Sequence, residues 1–340
     1  MCLTRSSTNI ACRTRKHFAG RTGLAAGVLI ALMVGLVDLG IDTRAGGLTP
    51  PQVSDTSGQD YYQNAWTIVD LPPEDLVETL PELFGLVPAT DQKPLPRLLN
   101  EVGKSVEESY QKFTEVVADE RVTQVQCASS GHLTNAVHRK FSYLILTRDE
   151  SGLLQLEEYR AGPDGQRVRG SRGGDFFTEG FAGMWAIFYP GNQSGSKFRY
   201  FGHLRFGEHV ADVVGFREKP GWSYIIGFEN IAGSRVLVMY QGVAWIDIAT
   251  RQILKMRADL LKPRLDVQLE LQTTEVQFGE VHISDAASTS LWVPLQVTVT
   301  TVWNGRVIRN EHQYSNYRLP GSSSTIKSAP EDISPAPKTN

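Results

Sequence analysis

From about Arg121 to Tyr314 the chain alternates apolar and polar residues in short segments divided by turn residues, with one long interruption. No feature constrains the fold more, because successive side chains of a strand point to opposite faces, leaving each segment one apolar side to hide. Phe141, Tyr143 and Ile145 alternate with His138, Lys140 and Ser142, and Asp149-Glu150-Ser151-Gly152 then turns the chain into Leu153–Tyr159. Leu254, Met256, Ala258 and Leu260 oppose Ile253, Lys255, Arg257 and Asp259, and Val267, Leu269 and Leu271 alternate with Gln268, Glu270 and Gln272. The alternation changes face near Thr273-Thr274, which predicts a β-bulge or a sharp coil there. Leu295, Val297, Val299, Thr301 and Trp303 form one row, Asn304-Gly305 supplies a two-residue turn, and Arg306–Tyr314 returns. Arg235–Tyr240 is apolar on both sides, as a central strand is. Strands joined by short turns pair antiparallel. A meander with one apolar face must curl into a barrel or half-barrel, or cover that face with helices.

The helical pattern is confined to the N-terminal side, which makes the class α+β. Asp70 is placed to cap a helix entered through Pro72 and Pro73, with Leu76, Val77, Leu80, Leu83 and Phe84 on one side and Pro81 dividing it. A longer helix is predicted from Pro96 to Val117. Leu95, Leu98, Leu99, Val102, Val106, Tyr110, Phe113 and Val117 recur on one stripe, with Glu101, Lys104, Glu107, Glu108 and Lys112 opposite. The interruption of the strands is Phe177–Tyr189, read as a short helix capped by Thr178 and stopped by Pro190. Phe181, Met184, Trp185, Ile187 and Phe188 leave it almost no polar side, so it is expected to plug the interior.

Residues 1–23 carry five basic groups and no acid, and Leu24–Val37 is an unbroken apolar run. That order, with small residues at Thr43 and Ala45, is expected of a secretory signal spanning residues 1–45 and cut after Ala45. The alternative is an uncleaved inner-membrane anchor over residues 24–41, against which stand Asp38 and a length short of the about 20 residues needed to span. Cleavage removes six bases and two acids, leaving 28 against 35 and a net charge of -7. That balance gives no reason to expect a nucleic-acid partner. Cys2 and Cys12 leave with the signal, so stability after export, in the periplasm or cell envelope, must come from the core. Residues 46–69 read as a flexible lead-in, 70–319 as one domain, and 320–340 as a disordered tail rich in Pro and Ser.

Catalytic signals are sparse, and none is assigned. Cys127 follows a strand-like alternation, where a cysteine is ordinarily packing. His132, His138, His203, His209, His282 and His312 are scattered without metal-ligand spacing, and no cofactor motif occurs, so no metal or cofactor is expected. Glu157 and Glu158 are adjacent on a strand and cannot converge on one proton. Asp247, before a turn, is expected to bind backbone amides. Arg167, Arg169 and Arg172 flank a glycine-rich stretch that reads as a solvated basic loop. Asn192-Gln193-Ser194 matches a glycosylation sequon. What stands out is apolar supply. Tyr143, Trp185, Phe188, Met239, Trp245 and Met256 are the candidates to line an apolar cavity, and the same residues admit the plainer reading of ordinary packing.

Tyr240–Asp247, then Thr250 and Ile253-Leu254-Lys255-Met256, resemble a recurring unit of the periplasmic lipoprotein-carrier superfamily of the LolA/LolB type, in which a Trp-x-Asp turn joins two long strands. Leu83–Ala89 and His312–Leu319 resemble an uncharacterised family of exported bacterial proteins sometimes labelled outer-membrane lipoprotein-sorting proteins. The resemblance spans about residues 70–319. It implies a curved, half-barrel-like sheet of about eleven strands with helices in its concavity, an apolar ligand site and no catalysis. The expected function is a non-enzymatic envelope protein binding a lipid, an acyl chain or a lipidated protein. Two alternatives remain open: a scaffold with a solid core, and a hydrolase with a dispersed Cys/His/Asp site.

Overall fold

The computed structural model describes residues 56–112, 115–127, 136–150, 153–163, 165–166, 168, 181, 183–220, 228–229, 235–283 and 289–319. Residues 1–55, expected to hold the secretory signal or anchor, residues 320–340, Thr178, His132 and the bases Arg167, Arg169 and Arg172 lie outside them. Three helices, α1 (Thr56–Gln63), α2 (Pro73–Thr79) and α3 (Leu95–Gln111), come before the long strands, with a two-residue strand β1 (Val87–Pro88) between the last two. After them run β2 (Glu115–Cys127), β3 (Val137–Glu150), β4 (Leu153–Ala161), β5 (Ser196–Phe206), β6 (His209–Glu218), β7 (Phe228–Glu229) and β8 (Arg235–Val236). The last five are β9 (Tyr240–Asp247), β10 (Ile253–Leu260), β11 (Leu269–Ile283), β12 (Thr289–Trp303) and β13 (Arg306–Arg318).

Eleven strands form one open sheet in the order β1-β5-β6-β9-β10-β11-β12-β13-β2-β3-β4, while β7 and β8 make a separate ribbon. Neighbours are antiparallel throughout. The expected α+β architecture, a curved antiparallel sheet with helices against it, is the observed one. Laid flat, eleven strands would spread over roughly 50 Å at ~4.8 Å each. Yet residues of β2, β3, β6 and β9–β13 gather in one apolar cluster with a single stripe of α3. A helix is only about 10 Å across, so the sheet bends around it.

That inner cluster contains Leu98, Val102, Val106 and Tyr110 of α3, and Val116, Tyr143, Phe216, Met256, Val276 and Val297 of the sheet. The outer side of β5, β6, β9 and β10 is covered as well. Ile68, Val69, Leu71, Leu76, Leu80 and Leu83 pack there against Phe201, Val213, Val243 and Trp245. Strand β9 is therefore buried at every position, whereas β11 and β13 alternate buried and exposed residues.

Several boundaries differ from expectation, each for a local reason. The long helix ends at Gln111, and Val117 lies in β2 paired with Leu144 and Arg318, so ladder bonds claim it instead of the helical stripe. Asp70 does not cap α2. It closes a 3-10 turn over Ile68–Asp70 and accepts bonds from Thr67 and Lys197, while Pro73 opens α2. Pro81 does end α2, where the Leu80 N–H reaches the Leu76 carbonyl. The lead-in is ordered from Thr56 onward, because the Tyr62 side chain is buried with Met239 and Leu261.

The strand expected over Arg235–Tyr240 starts only at Tyr240, and Arg235–Val236 pairs with Phe228–Glu229 instead. The bulge expected at Thr273-Thr274 is absent, since both pair regularly with β12. The register breaks instead at two other places: at Glu270, between the pairs Leu269–Trp303 and Leu271–Val302, and across the ladder at Leu295, between the pairs Gln277–Gln296 and Phe278–Pro294. Leu295 accordingly leaves the buried row of Val297, Val299 and Thr301, and its side chain lies over Gly279, where a Cβ would come within 2.5 Å of it. The last hairpin turns as predicted, with Asn304 and Gly305 at φ of 50° and 68°.

Candidate functional site

The deepest apolar surface is the inner sheet face, and the interrupting segment fills it. Met184–Phe188 forms a 3-10 turn in which Met184, Trp185, Ile187 and Phe188 are buried, as is Phe181 before it. The Trp185 ring stacks on Phe278 with centroids 5.3 Å apart and meets Tyr110 at 5.4 Å, and Phe188 meets Phe198 at 5.2 Å. Four of the six cavity candidates, Tyr143, Trp185, Phe188 and Met256, come together here. Trp245 does not. It pairs in register with Lys255, whose ammonium lies 5.1 Å from its ring, on the outer side among the residues around Leu76. Met239 precedes β9 and packs in a third cluster with Tyr62 and Leu261.

The plug is held by side-chain bonds at its two ends, since a 3-10 turn satisfies few of its own backbone groups. At the entry, the N–H groups of Phe181 and Gly183 each donate to the Glu158 carboxylate at 3.2 Å, and the Tyr143 hydroxyl donates to it at 2.5 Å. Burial and the Glu158 charge push the Tyr143 pKa far above its ordinary value, which keeps that hydroxyl a donor. At the exit, Asn192 donates to the Ala186 carbonyl at 2.9 Å, so the sequon asparagine is a structural tie. Gln193 Nε2 donates to the carbonyls of Phe188 (2.8 Å) and Leu99 (2.9 Å), linking plug to helix. The approach is close because residue 103 is glycine: a Cβ there would lie 2.8 Å from that amide and 3.1 Å from the Phe188 carbonyl oxygen.

Beside the plug entry the inner face carries a charge group. Arg160 on β4 makes a two-point ion pair with Glu120 on β2, one arm at 2.7 Å. Glu120 Oε1 also accepts from His312 Nδ1 and the Tyr314 hydroxyl, both at 2.9 Å. Glu120 and His312 are fully buried, and the His312 ring lies 4.8 Å from that of Phe181. Burial alone would raise the Glu120 pKa, but the Arg160 charge and the His312 bond prevail and hold it at about 2. Burial, aided by Arg160, pushes the His312 pKa down, against the pull of Glu120, so the imidazole is neutral near pH 7. None of these residues had been singled out for this role. The legible signal was parity, since Glu120 shares its face of β2 with Val116, Ala118 and Val122.

The other polar candidates are dispersed. Glu157 and Glu158 pair with Leu146 and Ile145 and bond separately to Tyr159 and Tyr143. Asp247 accepts from the N–H groups of Ala249 and Thr250 at 2.7 Å, as expected, and also meets His209 at 2.6 Å. Cys127 is buried at the end of β2 opposite Val307. His138 and His282 make cross-strand contacts with Thr123 and Ser290. Among the described residues no three His, Cys, Asp or Glu side chains converge as metal ligands, and no helix is long and apolar enough to cross a membrane.

Among the described residues, two grooves lie on the outer sheet face. One, of about 310 Å³, is lined by Arg257, Leu271, Thr273, Glu275, Thr300 and Arg309 among others. The second, of about 540 Å³, lies over β13, β2 and β3.

No protein-family model matches the chain, and no curated protein matches it. Among solved structures, it is similar to a DUF1329 family protein from Desulfovibrio piger, at 12% identity and a TM-score of 0.38, over 68% of this chain and 95% of that one. It is similar to a putative outer membrane lipoprotein-sorting protein domain from Vibrio parahaemolyticus, at 12% identity and a TM-score of 0.36, over 66% and 93% of the two chains. MucB, solved in complex with MucA(peri), aligns at 14% identity and a TM-score of 0.18, over 65% of this chain and 93% of that one.

Proposed function

We propose that the chain is an exported, non-enzymatic protein of the cell envelope, whose inner sheet face receives an acyl chain of a lipid or lipidated protein in the place now filled by the plug. One observation carries this reading. A segment with almost no polar side lies against the inner face as a single 3-10 turn, secured by Glu158, Asn192 and Gln193 instead of by a strand ladder. A segment with few backbone bonds to its surroundings opens at lower free energy than a laddered strand. Once moved aside, it would leave Tyr110, Tyr143, Met256 and Phe278 facing a trough open to a flexible hydrocarbon chain. The absence of any assigned reaction follows from the dispersal of Cys127 and the described histidines.

A second reading, a scaffold with a solid core, is favoured by the stacking of Trp185 on Phe278 in the filled interior. One experiment separates the two. Purified protein is extracted for lipid mass spectrometry, and a delipidated sample is titrated with a fluorescent C16 fatty acid. Acyl binding predicts co-purified lipid or saturable fluorescence, with affinity rising several-fold in Glu158→Gln, which weakens the plug's hold. A lipid-free extract and a flat titration in both proteins reject acyl binding and leave the scaffold.

A further inference from the structure

We propose that the outer groove over β13, β2 and β3 is a binding site for a phosphate monoester, clasped between Arg121 and Lys140. The two residues are direct cross-strand partners, and Gln313 stands on the other side of Arg121 in the same row. Like charges facing each other across a ladder destabilise a sheet, so this pair works against the fold that carries it. Neither base has an ion pair among the described residues. The acids nearest to them are already engaged. Glu311 is bonded to Arg309 at 2.9 Å, and Asp119 to Asn316 and Arg318 at 2.8 and 2.9 Å.

The smaller groove beside it lacks this imbalance. There Arg257 is held by Asp259 and Glu82, Arg309 by Glu311, and Glu275 faces Lys255. The groove of about 540 Å³ thus sets two bases face to face with no direct ion pair among the described residues, with Glu311, bound to Arg309, at its edge and Asp119 near enough to feel the Arg121 charge. The side chains suit a phosphate. Arg121 offers a planar fork of donors, Lys140 a point charge, and a monoester brings close to two negative charges and three acceptor oxygens. Thr123 and His138, bonded at 3.1 Å in the next row, and the Gln313 amide extend the polar lining. The same chemistry occurs in a soluble phosphomonoester and in a lipid headgroup, and the groove would accept either.

The test uses the full chain and its Arg121→Gln, Lys140→Gln and double variants, with Lys93→Gln as a charge control remote from the groove. Glycerol 3-phosphate, followed by calorimetry and thermal shift, is the soluble probe. Vesicles of phosphatidylcholine with and without phosphatidic acid are the membrane probe. Wild type and the Lys93 control should bind at least one probe. Each groove variant should weaken that binding at least tenfold, while the Tm of the ligand-free variants holds or rises because the repulsion is gone. That opposite movement of binding and stability would not arise from a merely structural pair. Wild-type indifference to both probes overturns the proposal, as does equal loss in the Lys93 control or a double variant that binds like wild type.

Discussion

Strands β13, β2 and β3 carry ionisable groups on both faces and hold them in opposite ways. Inside, Glu120 accepts from Arg160, His312 and Tyr314, so each carboxylate oxygen has a donor in a place water does not reach. Outside, Arg309 and Glu311 sit two residues apart on one strand at 44% and 40% exposure, and Arg121 faces Lys140 with no acid between. The buried group is costly to assemble and costlier to break, whereas the outer charges are solvated whether paired or not. The contrast also bears on register. A one-residue slip of β2 would turn Glu120 outward and drive Arg121 into the apolar cluster, so the inner charges penalise misalignment more sharply than the valines beside them do.

The largest expected effect comes from breaking the inner group on one side. Arg160→Met removes the guanidinium and leaves Glu120 buried with two neutral donors. Stripping one partner from a buried pair typically destabilises by about 3–5 kcal/mol. Urea unfolding of the variant should show that loss as a lower midpoint with an unchanged slope. A loss below about 1 kcal/mol would mean that water reaches Glu120, and the distinction between the faces would disappear.

Acid should act most strongly on the inner group, since the exposed carboxylates held low by neighbours, Asp119 among them, are solvated and contribute less. Burial lowers the His312 pKa, so below about pH 6.5 the unfolded chain takes up a proton that the folded protein resists, and stability falls as pH falls. Glu120, held at about 2 in the folded state against an ordinary 4.5, adds a second loss between those two pH values. A difference of that size corresponds to roughly 3 kcal/mol. His312→Gln keeps an N–H donor but does not titrate, so its stability should stay level from pH 7 to 5 where wild type declines. Thermal melts across pH 7.5 to 3 read both steps, and a wild-type profile flat from 7 to 5 would contradict a buried neutral imidazole.

Much of this architecture could be read along the chain, because alternation and helical stripes are local properties. The hairpin at Asn304-Gly305, the α3 stripe from Leu98 to Tyr110 and the burial of Trp185 and Phe188 all follow from neighbours a few residues away. Convergence was not legible in the same way. Strand β9 is buried at both parities, and only Gln241 and Asp247, which share the parity of Trp245, hint that Trp245 faces outward while Ala244 and Ile246 face inward. The side of each residue is settled by its cross-strand register and by what covers the far face, here the stretch Ile68–Leu83. The group of Glu120, Arg160 and His312 depends on a still less local fact. Strand β13 returns to pair with β2, bringing residues 192 apart in sequence to 2.9 Å.

The smallest expected effect belongs to the outer pair and sharpens the comparison most. Arg309 Nε and Glu311 Oε1 are 2.9 Å apart, the same separation as His312 Nδ1 and Glu120 Oε1 in the inner group. If distance alone set the energy, Arg309→Ala would rank with Arg160→Met. Water surrounds the outer pair, however, and each exposed side chain loses rotamer freedom to hold that contact, so Arg309→Ala should shift stability by less than about 0.5 kcal/mol. Screening should shrink even that difference in 1 M salt, where the Debye length is about 3 Å, while the inner variant keeps its deficit. Urea titrations of both variants at low and high salt give the four numbers required. A large, salt-insensitive loss in Arg309→Ala would place that residue out of water in the purified protein. The outer face of β13 would then be covered in solution, and a dependence of the loss on protein concentration would identify the cover as a second copy of the chain.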